Sequence, residues 1–177
     1  MQSPILFLRQ SFPFVSSTNA EILILGSMPG QKSLEANQYY AHPHNSFWDL
    51  MEHIFGAGHQ LEYEKRLQML KENRVALWDV AFQCQRNGSL DSNIRAVTPN
   101  DFQSFFAKHR RIRSVFFNGQ KAEQLFTRLV LSNIGERVQK LKFVRLPSTS
   151  PAHASLTREQ KKARWHRALN AAQNRRG

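Results

Sequence analysis

The sequence predicts an α/β fold in which helices cover both faces of a short four-stranded parallel sheet, a three-layer α/β/α sandwich. Three observations predict it. Four short apolar runs, Ile22 to Leu25, Val75 to Trp78, Ser114 to Phe117 and Phe143 to Leu146, have the length and composition of buried strands. Between them lie segments with apolar residues at helical spacing, and this alternation gives parallel strands joined by crossover helices. Each run then empties into a polar or glycine-bearing group, and in a parallel sheet those groups share one edge.

Taken in order, residues 1–20 carry prolines, phenylalanines and a Ser-Ser-Thr-Asn cluster, and read as an irregular or partly helical lead-in that packs Phe12 and Phe14 on the core. Ile22 to Leu25 is the first strand, followed by Gly26-Ser27-Met28-Pro29-Gly30 and a polar connection to Tyr40. Phe47, Leu50, Met51, Ile54 and Phe55 recur at helical spacing, with Asn45 or Ser46 available as N-cap. A second helix is expected from Leu61 to Lys71 and ends at Asn73. The second strand runs into Asp79, and Arg86 to Ser92 reads as a long polar loop. Pro99-Asn100-Asp101 starts a helix bearing Phe102, Phe105 and Phe106. The third strand ends at Asn118-Gly119, and Ala122 to Leu131 is helical by period. The fourth ends at Pro147-Ser148-Thr149-Ser150-Pro151, and a last helix from Arg158 to about Gln173 places Trp165, Ala168, Leu169 and Ala172 on one face.

The length of 177 residues suits one domain, with residues 174–177 as a frayed tail. No apolar run approaches the roughly 18 to 20 residues that span a bilayer. Ile5 to Leu8 is too short for a signal peptide and Arg9 interrupts it, so a cytoplasmic protein, nucleoid-associated in a bacterium, is expected. The single cysteine, Cys84, excludes an internal disulfide and a four-thiolate metal site, and reads as a semi-buried thiol. The seven histidines show no metal-ligand spacing, so no metal is expected. The formal charge of +12 and sequence pI near 10.6 call for a polyanionic partner, and aromatics beside glycine loops at strand ends fit nucleic acid better than a membrane. Lys108 to Arg113 and the last helix carry much of that charge.

Several residues can carry chemistry. Asp79 and Asn118 directly follow strands and can read the hydrogen-bonding edge of a base, or form local turns. Asn45 can orient a water through its carboxamide oxygen or cap the following helix, and the two roles compete for one side chain. Phe47 can stack on a planar ligand or pack in the core, to which Trp48 is assigned; Tyr39 and Tyr40 divide between pocket and packing. Ser148, Thr149 and Ser150, stiffened by Pro147 and Pro151, offer hydroxyls and amides to phosphate, with His153 beyond them.

The segment Tyr39-Tyr40-Ala41-His42-Pro43-x-Asn45-x-Phe47-Trp48, together with Gly26 to Gly30, Leu77-Trp78-Asp79-Val80, Gly88 to Ser92, Phe117-Asn118-Gly119 and Pro147 to Ala152, resembles the hypoxanthine-DNA glycosylase (DNA-deoxyinosine glycosylase) branch of the uracil-DNA glycosylase superfamily. The resemblance spans about residues 20–170. It implies the α/β/α fold and, with no cofactor, hydrolysis of the N-glycosidic bond of a deaminated base, hypoxanthine or uracil, in DNA by a monomer without a lyase step. Asn45 matches the Asn implicated in catalysis in that branch, and Phe47 the aromatic that stacks on the flipped base. Gly26, Ser27, Met28, Pro29 and Gly30 then cradle the base with Tyr40, Asp79 and Asn118. Ser27 stands where mismatch-specific relatives carry a water-positioning Asn, and Pro147-Ser148-Thr149 lacks the His many members carry there. Ser148, Thr149, Ser150, Pro151, Ala152, His153 and Ser155 fall to DNA contact, with Ala152 to Ser155 as the loop entering the duplex. A non-catalytic nucleic-acid-binding module and a hydrolase of free nucleosides are the alternatives to this reading.

Overall fold

The computed structural model describes residues 8–175; residues 1–7 of the lead-in and residues 176–177 of the tail lie outside the described residues. The expected sheet is present. Strands β2 (Ile22–Gly26), β3 (Val75–Asp79), β6 (Ser114–Asn118) and β7 (Lys142–Leu146) form a parallel sheet in the order β3-β2-β6-β7. The three strands other than edge strand β7 are buried at every residue, as their unbroken apolar runs require when both faces are covered.

Successive strand residues point to opposite faces, and this divides the core in two. Leu23, Leu25, Ala76, Trp78, Val115 and Phe117 pack with helices α4 (Phe102–Lys108) and α5 (Gln120–Leu129). Ile22, Ile24, Val75, Leu77 and Phe116 pack on the other face with α2 (Phe47–Phe55), α3 (Tyr63–Glu72) and α6 (Arg158–Gln173). Trp165 and Leu169 of α6 are fully buried there, with Ala168 and Ala172 beside them as the helical period requires. Local signals set the helix starts: the Asp101 carboxylate accepts from Ser104 N–H at α4, and Thr157 and Gln160 form a reciprocal capping box at α6.

Four features differ from the sequence expectation. A second sheet, antiparallel in the order β1-β4-β5, joins β1 (Leu8–Gln10), β4 (Ala81–Gln85) and β5 (Arg95–Pro99). Its strands are short and mixed in polarity, with no apolar run to mark them. The described part of the lead-in, expected to be irregular or partly helical, thus contains a strand, and Cys84 is wholly buried rather than half-buried because β4 turns it inward. The connection after the glycine loop forms a short helix, α1 (Gln31–Ala36), ended by Asn37 in the left-handed conformation.

The register keeps the large sheet in step: Gly26 pairs with Asp79 and Asn118 with Leu146. The C-terminal ends of its four strands therefore lie along one edge.

Candidate active site

A cavity of about 660 Å³ opens at that edge, and its walls come from six separated parts of the chain. The first is the glycine loop. Val80 N–H donates to Gly26 O at 2.9 Å and Ala81 N–H to Ser27 O at 3.0 Å, so the loop is fastened to the chain leaving β3. Gly26 must be glycine: a Cβ there would lie inside contact distance of Asp79 Oδ1 and 3.0 Å from the Tyr40 hydroxyl.

Those two side chains form the floor. Asp79 is 3 % exposed and its Oδ2 has no hydrogen-bond partner among the described residues. Burial pushes its carboxyl up to about 7; Arg86 opposes this and Asp91 adds to it. The Tyr40 hydroxyl is also buried without a hydrogen-bond partner among the described residues, although the Asn118 amide lies toward it. Burial, then the Asp79 charge, holds that phenol well above its ordinary range. Two buried polar atoms without partners on one cavity floor are a high-energy arrangement unless a ligand completes them.

The expectation for Phe47 is corrected here. Its ring is 0 % exposed and does not border the cavity, because Tyr40 stacks on it with centroids 4.0 Å apart at 22°. Phe47 lies one layer behind, and Tyr40 presents its aromatic surface to the open space. Of the two tyrosines, Tyr39 is the packed one, 3 % exposed with its hydroxyl donating to Pro13 O at 3.0 Å. Tyr40 has φ of 54°, in the left-handed region that bulky residues avoid.

Asn45 borders the cavity and also caps α2: its Oδ1 accepts from Phe47 N–H at 3.0 Å. Ser46, which occupies the N-cap position itself, makes no side-chain bond to the helix.

Asn118 does not hold its carboxamide free. Its Nδ2 donates to Thr149 Oγ1 and its Oδ1 accepts from Thr149 N–H, both at 2.9 Å. This clasp fixes the loop after β7, which other groups pin as well. Ser46 N–H donates to Thr149 O at 3.0 Å, Trp165 Nε1 to Pro147 O at 2.9 Å, and buried Lys161 to His153 O at 2.7 Å. Ser148 to His153 border the cavity, whereas Ser155 does not; its hydroxyl lies 3.1 Å from His153 Nε2.

A further wall is the end of the Arg86 to Ser92 loop, polar in sequence and part of the motif set at Gly88 to Ser92. It straps the glycine loop from outside. The Arg86 guanidinium, 1 % exposed, donates to Pro29 O, Gln31 N–H donates to Ser89 Oγ at 2.7 Å, and Ser27 Oγ donates to Asp91 Oδ1 at 2.6 Å. Ser89, Leu90, Asp91 and Ser92 all border the cavity. None was singled out from sequence beyond its place in a motif, since a Gly-Ser-Leu-Asp-Ser string has the composition of any surface turn.

The family model of the Uracil DNA glycosylase superfamily matches residues 12–172. The chain belongs to that superfamily. Two relatives from Methanosarcina carry the name hypoxanthine DNA glycosylase. The one from M. acetivorans is 44% identical over 116 residues, covering 65% of this chain and 73% of its own length. The one from M. barkeri is 38% identical over 144 residues, covering 76% and 91%. A solution NMR structure of a candidate uracil DNA glycosylase from M. acetivorans superposes with a TM-score of 0.78 at 34% identity, covering 94% of this chain and 99% of that one. The superfamily fold expected from sequence is therefore the fold observed. Among the described residues no helix is long and apolar enough to cross a membrane, and no group of three His, Cys, Asp or Glu could hold a metal ion.

Proposed function

We propose that this superfamily member is a monofunctional DNA glycosylase that extrudes a deaminated base, hypoxanthine before uracil, into the cavity and hydrolyses its N-glycosidic bond. The observation that carries the reading is the cavity floor, where the Tyr40 hydroxyl and Asp79 Oδ2 are buried with no hydrogen-bond partner among the described residues. Hypoxanthine and uracil share an amide-like edge, one N–H beside one carbonyl. Ionised Asp79 accepts the N–H and the Tyr40 hydroxyl donates to the carbonyl, while the Tyr40 ring covers the base face. Adenine offers the opposite pattern and would leave both protein groups unsatisfied.

A base within a duplex is out of reach, so the DNA must be gripped and the nucleotide rotated out. The charge of +12 supplies the long-range attraction. Ser148 to Ser150, Pro151, Ala152, His153 and Ser155, on a loop held by Asn118 and Lys161, offer hydroxyls and backbone amides to the phosphates. Asn118 acts through Thr149, as a positioning residue. As the bond to C1′ lengthens the sugar gains oxocarbenium character and the base gains electrons. The Gly26 to Gly30 loop lines the space the base would fill, and its backbone N–H groups, which Pro29 lacks, take up charge on the base, while Asn45, with one lone pair of its oxygen used at α2, orients the water with the other. The protein acts on DNA as a monomer in the cytoplasm.

The test is a panel of oligonucleotides carrying inosine, uracil or xanthine, with free inosine and an Asn45→Ala variant alongside. Abasic product from inosine DNA, reduced 100-fold or so in the variant, is the expected result. Faster turnover of free inosine, or salt-dependent DNA binding with no abasic product from any lesion, would overturn the reading.

A further inference from the structure

A carboxylate at the mouth of a DNA-binding cleft repels the phosphates it sits among. Asp91 is such a group: it borders the cavity, and makes no ion pair among the described residues. Its position is not left to a mobile loop. Ser27 Oγ, on a side chain 7 % exposed, donates to Asp91 Oδ1 at 2.6 Å, a charge-assisted bond across 64 residues of sequence. Ser89 is bonded to Gln31 on one side of it, and Ile94 N–H closes a 3.1 Å turn onto Asp91 O on the other. That bond engages one carboxylate oxygen and leaves Oδ2 for another partner. Asn45, the group to which water orientation falls, is a carboxamide and cannot take a proton at neutral pH.

We propose that Asp91, anchored by Ser27, is the general base and electrostatic partner of the glycosidic step. This rests on the glycosylase reading above and names a residue that reading does not use. The water oxygen bonds to C1′ of the sugar, and the C1′–N bond breaks with its electron pair leaving on the base. The water proton passes to Asp91 and from there to solvent, and the departing base is protonated by solvent water. Before the water adds, the Asp91 charge stabilises the positive sugar, the task a carboxylate performs in glycoside hydrolysis. The charge that disfavours ground-state phosphate binding is thereby used in the transition state.

The two effects have opposite signs, and a merely structural residue would not separate them. Asp91→Asn should bind inosine-containing duplex as tightly as wild type or several-fold tighter, while the single-turnover rate at saturating enzyme falls about 100-fold or more. Ser27→Ala, which frees the carboxylate without removing it, should lose about ten-fold in the same rate. Formate added to Asp91→Gly should restore part of the lost rate by supplying a small carboxylate. Retention of the rate in Asp91→Asn within about three-fold, a parallel loss of binding and rate, or no formate rescue would overturn the proposal. If wild type itself releases no base from any lesion, the glycosylase reading fails instead, and the two failures are told apart in one experiment.

Discussion

Asp79→Asn tests the cavity floor through stability rather than activity. A carboxyl raised from the ordinary 3.8 to about 7 by burial binds its proton more tightly in the folded chain than in the unfolded one. Its contribution is fully present below pH 3.8, declines as pH rises through the interval, and is gone above the folded value of about 7. The full swing corresponds to about 4 kcal/mol at 1.36 kcal/mol per pH unit, an upper figure because water entering the cavity relieves part of the penalty. Asparagine has the same shape, carries no charge at any pH, and brings an N–H toward the Tyr40 hydroxyl. Denaturant unfolding of both proteins at about pH 5 and about pH 8 should therefore show the variant's advantage growing by roughly 2 to 3 kcal/mol between the two. A difference independent of pH, or wild type gaining on the variant at about pH 8, would refute the burial argument. Inosine excision should fall in the same variant, since an amide donor replaces the acceptor for the base N–H.

Two further outcomes follow from the packing around the cavity. Gly26→Ala should lower stability by about 1 to 3 kcal/mol in thermal or denaturant unfolding and abolish base release, because the new methyl group drives Asp79 and Tyr40 apart. Lys161→Met should leave unfolding stability unchanged or slightly raised, as removal of a buried cation often does, yet raise KM for lesion DNA several-fold by releasing the carbonyls of Ser150 and His153; equal KM values would show that the loop holds its shape without the ammonium.

The parts of the fold legible in the sequence are those where burial writes directly into composition. Ile22 to Leu25 and Val75 to Trp78 read as strands because both faces of the large sheet are covered, and the last helix is bounded by the same residues in prediction and structure. Ala81–Gln85 carries no such mark: its buried residues, Ala81 and Cys84, are small and three apart across a strand with register shifts, and its large apolar residue, Phe82, is exposed. Strand order depends on crossovers that leave no local mark. At the site, Gly26, Asp79, Asn118 and Asn45 were legible because each stands at the end of a strand or the start of a helix. Phe47 was not, since two adjacent aromatic layers, Tyr40 over Phe47, cannot be ordered from spacing alone. Asp91 carries no local mark, because its bond to Ser27 spans 64 residues of sequence.

Tyr40 also bears on how this cavity can drift over generations. Its ring borders the open space on a backbone held at φ 54°, where a bulky side chain costs on the order of 1 to 3 kcal/mol. Glycine or asparagine at that position would relieve this strain while removing the ring, its stacking on Phe47 and its hydroxyl. Selection against that strain and selection for a working cavity thus pull on one residue in opposite directions. A chain of this lineage freed from acting on bases should lose its aromatic here early, before the buried strands behind it begin to change.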